Sequence, residues 1–171
     1  GWNHVEYEAL NCEWKTRGMK QAEQIEVLRK LWTEELVTFE GHFHKYNEVT
    51  IVPSPKQRPI PIWIGGSADK VIKRAAKLGD GWMPILSPDK EGKTALEKLY
   101  TYLEEFGRKR EGFGIEVWMR FSEDNPEVWG ATADEWRSMG VDMAMLYPMW
   151  EIKGVDGQIE ILSKFKEVAH S

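Results

Sequence analysis

The sequence has few cysteines, no long apolar run and no excess of positive charge. It has a single cysteine, Cys12, so no disulfide can form within the chain, which is the usage expected in a reducing cytoplasm. No apolar run approaches the roughly 20 residues that a membrane-spanning helix needs. Positive charge is not in excess, because 23 Lys and Arg residues are interleaved with 28 Asp and Glu residues, for a net charge of -5. We therefore expect a cytoplasmic protein whose main partner is neither nucleic acid nor a membrane surface.

Side chains suited to nucleophilic or metal chemistry are also scarce. Cys12 lies between Asn11 and Glu13 with no histidine near it in sequence, so we expect a packed or idle thiol and not a nucleophile. His42 and His44 would share one face of a strand, as residues two apart do. No further ligand is arranged around that pair, so surface histidines are expected there and no metal site is predicted.

The residues that are present predict a folded α/β protein. The chain has 171 residues, 42% of them hydrophobic, without a low-complexity run, so we expect residues 1–171 to form one domain. In residues 1–58, apolar spacing predicts a leading helix over about 14–35 and a hairpin over 37–46, with a proline-rich connector after them. Residues 59–171 are interpreted as four βα units, an alternation typical of parallel sheets.

Several boundaries follow from turn and capping residues. Strands are predicted at 60–64, from residue 80 onward, at 113–121 and at 141–148, and a further short strand at 49–52. Ser87 at the N-cap with Pro88 in the first turn predicts one helix start, and Asn125 before Pro126 predicts another. Arg120, near the end of its strand, suits an anion contact and a surface charge equally well.

A double-glycine turn follows the first of these strands. Gly65 and Gly66 carry no Cβ, so the backbone there can turn sharply and come close to a ligand. Ser67 is expected to cap the next helix, whose first amides would have no partner within the helix. Such a place suits a phosphate group. A tight βα loop that only caps its helix explains the same residues equally well.

Four motifs occur in a fixed order along the first part of the chain. Residues 1–10 contain Gly-Trp-Asn-x-x-Glu-Tyr-Glu-Ala-Leu, and residues 37–43 contain Val-Thr-Phe-x-Gly-x-Phe. Residues 53–66 contain Pro-x-Pro-x-Gln-x-Pro-x-Pro-Ile-Trp-Ile-Gly-Gly, and residues 75–82 contain Ala-Ala-Lys-Leu-Gly-Asp-Gly-Trp. Together they resemble luciferase-like monooxygenases, above all the branch that uses the deazaflavin coenzyme F-420. Members that depend on FMN share much of the pattern.

The resemblance implies a (β/α)8 TIM barrel, of which this chain would supply about the last four βα units. It implies an oxidoreductase or monooxygenase that transfers a hydride between a small-molecule substrate and F-420, or alternatively FMN. We expect a fragment that is inactive alone. The catalytic acid or base would lie on loops of the first four strands, so none is named in this chain.

The resemblance also assigns cofactor-binding positions. Gly65, Gly66, Ser67 and Ala68 match the loop that holds the cofactor's phosphate or ring edge. Trp2 and Asn3 match the loop beside the ring.

One residue departs from what a phosphate site favours. Asp69 places a carboxylate in the first turn of the helix, where it would repel a phosphate, although Lys70, Lys73 and Arg74 could offset its charge.

Two alternative functions remain open at this point. The chain could be a non-catalytic half-barrel that forms a homodimer, or a module that binds a phosphate ligand. Half a barrel would expose two strand edges, which soluble proteins avoid. An aldolase- or isomerase-like barrel is the least favoured, because no Lys or Glu is suitably placed at the predicted strand ends.

Overall fold

The computed structural model describes residues 3–120, 125–148 and 154–169, with the side chain of Arg120 left out. The chain forms two compact units, residues 1–62 and residues 63–171. Each unit is described separately below.

The first unit contains two helices and a hairpin. Helix α1 spans His4–Ala9 and helix α2 spans Arg17–Thr33, and strands β1 (Val37–Glu40) and β2 (Lys45–Val49) pair antiparallel. The predicted leading helix and hairpin are therefore confirmed. The predicted strand at 49–52 is wrong, because β2 ends where that segment begins and the proline-rich connector takes over.

Glu23 of α2 fastens the hairpin turn to the helix. Its carboxylate accepts hydrogen bonds from the backbone N–H groups of His42 (2.7 Å) and Phe43 (2.9 Å), and Nδ1 of His44 lies 2.7 Å from Oε1. Desolvation alone would raise the pKa of this carboxyl, but the bonds from His44 and the backbone outweigh it and lower the pKa. Glu23 and His44 thus form a local structural pair.

The second unit is an alternating βα structure around one sheet. Its strands are β3 (Trp63–Gly65), β4 (Gly81–Met83), β5 (Gly114–Arg120) and β6 (Met143–Tyr147). Its helices are α3 (Asp69–Leu78), α4 (Lys90–Glu105), α5 (Pro126–Ser138) and α6 (Val155–Ala169). The four strands are parallel and lie in chain order β3-β4-β5-β6. The predicted α/β class is therefore confirmed.

Of the two cap predictions at the starts of α4 and α5, one is correct. Asn125 caps α5 by accepting from the N–H of Glu127, with Pro126 in the first turn, as expected. Helix α4 is capped by Asp89 and not by Ser87, because the Asp89 carboxylate accepts from two backbone N–H groups. No helix among the described residues is long and apolar enough to cross a membrane.

Burial alternates along the sheet. In β5, Ile115, Val117 and Met119 are at most 5% exposed, whereas Glu116 and Trp118 between them are only half-buried. Because successive strand residues point to opposite faces, the residues on one face of β5 are buried. The other face is less covered by the described residues.

That second face has one large side chain at the amino ends of its strands. The indole of Trp63 lies across Gly81 of β4 and Gly114 of β5, so close that a Cβ on either glycine would collide with the ring. Trp63, Gly81 and Gly114 are aligned by the strand register. The two glycines therefore leave the space that the Trp63 ring fills.

Candidate functional site

The Gly-Gly-Ser turn lies where strand β3 ends and helix α3 is about to begin. Gly65 is the last residue of β3, and the chain passes through Gly66, Ser67 and Ala68 into α3. The carboxyl ends of parallel strands meet at one edge of a sheet, and α/β sheets bind their ligands there. The turn is therefore at the edge of the sheet where a ligand is expected.

The backbone at Gly66 has a conformation that favours glycine. Its φ is 117°, and a Cβ at this position would come within 3.3 Å of Cγ1 of Val71. Its N–H donates to the carbonyl of Met83 (3.2 Å), and its own carbonyl accepts from Nε1 of Trp82 (2.8 Å). The turn is thus pinned to strand β4 on both sides of Gly66.

The start of helix α3 differs from the prediction at Ser67. The N-cap is Ala68, and no side chain caps the helix. The carbonyl of Ala68 accepts from the N–H groups of Val71 and Ile72. Among the described residues, no hydrogen bond is donated by the backbone N–H groups of Ser67 to Lys70. Ala68 has no side-chain oxygen that could cap the helix as a serine would. The helix start therefore presents N–H donors and the positive end of its dipole.

The carboxylate of Asp69 is compensated locally. It accepts a hydrogen bond from the Tyr102 hydroxyl (2.9 Å) and pairs with Nζ of Lys98 (3.2 Å). The bond from Tyr102, followed by that from Lys98, lowers the pKa of Asp69. Lys73 pairs instead with Glu105 (2.7 Å), and that hydrogen bond raises the pKa of Lys73. Lys98, which the sequence had not indicated, therefore pairs directly with Asp69, and the charge of Lys73 adds a smaller contribution that also lowers the pKa of Asp69.

A cleft of about 600 Å³ opens beside the turn, between the starts of α3 and α4. Ser67 lines it together with two lysines, Lys90 and Lys98, and two carboxylates, Asp89 and Glu91. Asp89 is engaged as the cap of α4 and Lys98 as the partner of the Asp69 carboxylate. The cleft thus offers charges of both signs next to the free N–H groups of the turn.

The two predicted ring-contact residues are in the first unit. Asn3 caps α1, where its Oδ1 accepts from the N–H of Val5 (3.3 Å) and its Nδ2 donates to Glu6 (3.1 Å). Trp2 lies outside the described residues. A role for either residue beside a cofactor ring stays a prediction.

An aromatic pair at the carboxyl edge of the sheet was missed by the sequence analysis. The rings of Trp118 and Tyr147 stack with centroids 5.4 Å apart and planes at 19°. Trp118 alternates with the buried residues of β5, but its neighbour depends on the register of β5 against β6. The described residues contain no group of three or more His, Cys, Asp or Glu placed to hold a metal ion.

Known proteins resemble this chain in sequence. The family model for luciferase-like monooxygenases matches residues 1–146. An F-420-dependent glucose-6-phosphate dehydrogenase of Kineococcus radiotolerans is 32% identical over 116 residues, which cover 66% of this chain and 34% of that protein. A 5,10-methylenetetrahydromethanopterin reductase of Archaeoglobus fulgidus is 28% identical over 120 residues, 70% of this chain and 36% of that protein. The chain spans about a third of the length of these relatives.

Solved structures share the fold. A monooxygenase from Streptomyces bottropensis superposes with a TM-score of 0.73 at 18% identity, over 98% of this chain and 65% of that one. The coenzyme F-420-dependent tetrahydromethanopterin reductase of Methanopyrus kandleri gives 0.55 at 16% identity, over 88% and 55%. These TIM-barrel enzymes confirm the predicted fold class, with this chain as part of a barrel. The match of the family model over residues 1–146 means that the chain belongs to the luciferase-like monooxygenase family, whose members are oxidoreductases or monooxygenases.

Proposed function

We propose that the protein containing this chain transfers a hydride between a small-molecule substrate and bound coenzyme F-420, with FMN as the second candidate. Relatives named for F-420-dependent reactions support the first choice. The structural observation that carries the proposal is the Gly66 turn, which leads into a helix start with free N–H groups at the carboxyl edge of the sheet.

The residues of the turn fit a phosphate group of the cofactor. Gly65 and Gly66 leave the backbone open to close approach, and the N–H groups of Ser67 and Ala68 can donate to phosphate oxygens. Pairing with Lys98 reduces the repulsion that Asp69 would exert on an anion. When bound, the cofactor would supply the ring atom that gives or accepts the hydride. Trp2 and Asn3 are proposed to lie beside its ring, as the family resemblance implies.

Binding of the cofactor tests this proposal. Titration with F-420 and with FMN, followed by absorbance and fluorescence, should reveal saturable binding of one of them. Failure of both to bind would overturn the assignment. Gly66→Ala should weaken binding by about tenfold, as expected when a hydrogen bond to a charged phosphate is misplaced.

A matched control separates the site from the backbone conformation. Gly107 also has a positive φ, 65°, and an added Cβ there would meet no atom within 4 Å. Gly107→Ala should therefore strain the backbone at a positive φ without loss of cofactor affinity. Equal losses in both variants would mean that the Gly66 turn does not hold the phosphate.

A dimer of half-barrels that binds a phosphate ligand is the second candidate. Within the described residues, β3 and β6 each pair on one side only, so both edges of the sheet present unpaired backbone groups. Sedimentation velocity distinguishes this function. A stable dimer with phosphate affinity and no redox activity would favour it over the hydride-transfer proposal.

A further inference from the structure

Trp82 connects the buried face of the sheet to the Gly66 turn. Its side chain is 0% exposed, and its strand partners Ile64 and Ile115 are at most 2% exposed. Nε1 of the indole donates to the carbonyl oxygen of Gly66, at 2.8 Å. A buried indole N–H usually has an acceptor, and here that acceptor belongs to the backbone of the turn. The ring is therefore held by packing while its polar edge contacts the turn.

The hydrogen bond from Trp82 sets the direction of the next backbone N–H group. The peptide between Gly66 and Ser67 is trans, so its carbonyl and its N–H point to opposite sides of the chain. Because the carbonyl of Gly66 points toward the indole, the N–H of Ser67 points away from it. Within the described part of the chain that N–H donates no hydrogen bond, and Ser67 lines the cleft. The bond from Trp82 thus leaves the Ser67 N–H available to a ligand.

The glycine at position 66 makes the orientation of this peptide easy to lose. Gly66 has a φ of 117° and no Cβ, so rotation of the peptide that follows it meets little steric resistance. A rotated peptide would place the Gly66 carbonyl oxygen where the Ser67 N–H now lies, and that oxygen would repel an anion. The N–H of Gly66 donates to the carbonyl of Met83, but this bond restrains only the peptide before Gly66. Among the described residues, the hydrogen bond that restrains the peptide after it comes from Trp82.

We propose that Trp82 is a positioning residue for anion binding, whose indole N–H holds the peptide between Gly66 and Ser67 in the orientation that offers the Ser67 N–H to a phosphate group. This role rests on the proposed function, because the phosphate is taken to be that of the cofactor. Trp82 does not touch the ligand, since the indole lies on the opposite side of the peptide. It keeps the turn in the orientation that binds, so its loss lowers the affinity by the fraction of molecules that leave that orientation.

Titration of the full chain with inorganic phosphate tests this role, with the backbone amide signals of Ser67 and Ala68 followed by nuclear magnetic resonance. Both signals of the parent should shift until the site is saturated. Trp82→Phe removes the donor and should weaken phosphate binding about twofold to fivefold, as expected when one hydrogen bond selects the orientation that binds. Replacement of Trp82 by benzothienylalanine, in which sulfur takes the place of the indole N–H, keeps the shape of the ring and should have the same effect. It is the second variant if Trp82→Phe does not fold.

Trp129→Phe is the matched control for the loss of a buried indole. Trp129 is 2% exposed and belongs to α5, so its replacement should lower the melting temperature without weakening phosphate binding. Trp82→Phe should cost less affinity in a Gly66→Ala background, because both substitutions act on the same turn. Equal phosphate affinity in the parent and the benzothienylalanine variant would overturn the positioning role. Equal weakening by Trp82→Phe and Trp129→Phe would overturn it as well, because the affinity would then follow stability alone.

F-420 and FMN titrations of the same variants distinguish the two proposals. Cofactor binding that does not respond to the loss of the Trp82 N–H would refute only the positioning role. Phosphate binding that depends on Trp82, without binding of either cofactor, would refute hydride transfer and keep Trp82 as the positioning residue of an anion site. A parent chain that binds neither phosphate nor either cofactor would overturn both.

Discussion

The indole of Trp63 fills the space in which a side chain on Gly81 would have to lie. The two residues are Cα partners in the pairing of β3 with β4, and the ring extends past Gly81 to Gly114 of β5. Strands β3, β4 and β5 therefore fit together because the Trp63 ring occupies the space left by Gly81 and Gly114, which have no side chains. This arrangement is at the amino ends of the strands, away from the Gly66 turn.

Gly81→Ala should destabilise the protein by about 1–3 kcal/mol, because the added methyl group overpacks the sheet against the Trp63 ring. Urea unfolding followed by circular dichroism measures the change. Trp63→Leu removes the ring, so Gly81→Ala should cost less in that background. Strictly additive effects of the two substitutions would show that the ring does not restrict position 81.

Asp142→Ala should destabilise the protein by about 1–2 kcal/mol, because a partly buried N–H loses its acceptor. The Asp142 carboxylate accepts from the N–H of Ile115 (2.7 Å) and pairs with Nη2 of Arg110 (2.8 Å). Chemical denaturation provides the measurement. Asp142→Asn keeps an acceptor oxygen and should cost less. Equal losses in the two variants would mean that the charge, and not the hydrogen bond to Ile115, dominates.

Glu23 should make the stability of the protein depend on pH in acid. Its folded-state pKa lies below its ordinary value of 4.5, so ionised Glu23 stabilises the folded state above that pH. The stabilisation is lost as the pH falls below about 4.5 and through the lower folded-state value. Glu23→Gln should therefore lower the melting temperature at pH 7 and flatten its dependence on acid pH.

Glu40→Gln is the matched control for this prediction. Glu40 lies in the same hairpin and pairs with Lys45, but the side chains are 73% and 72% exposed. Exposed pairs contribute little to stability, so this variant should keep the acid profile of the parent. Identical profiles for Glu23→Gln and the parent would contradict the role assigned to Glu23.

Asp69 and Lys98 should change the affinity of the turn for phosphate in opposite directions. Asp69→Asn removes a negative charge beside the free N–H groups and should raise the affinity roughly twofold to threefold at low salt. Lys98→Gln removes the cation that pairs with the Asp69 carboxylate, so it should lower the affinity for phosphate. Calorimetric titration with inorganic phosphate measures both. Lys93→Gln removes a charge elsewhere on α4 as a control, and an effect equal to that of Lys98→Gln would indicate only net charge.

The sequence predicted the element order well because apolar periodicity is a local property of the chain. The alternation in residues 113–121 located β5, and the start of α5 at Asn125 and Pro126 was predicted correctly. The caps of α3 and α4 were predicted wrongly at Ser67 and Ser87. Serine can cap a helix only where its own backbone turns into the first helical residue, and α3 begins after Ala68 and α4 after Asp89.

The sequence by itself determined the family, the βα alternation and the glycine turn at 65–66, because each depends on patterns among residues that are near one another in the chain. Only the tertiary structure decided that Lys98 compensates Asp69, that Trp63 covers Gly81 and Gly114, and that Trp118 stacks on Tyr147. The partners in these contacts lie about 20 to 50 residues apart. They meet through strand register and helix packing, which depend on the fold of the whole unit and not on any local pattern.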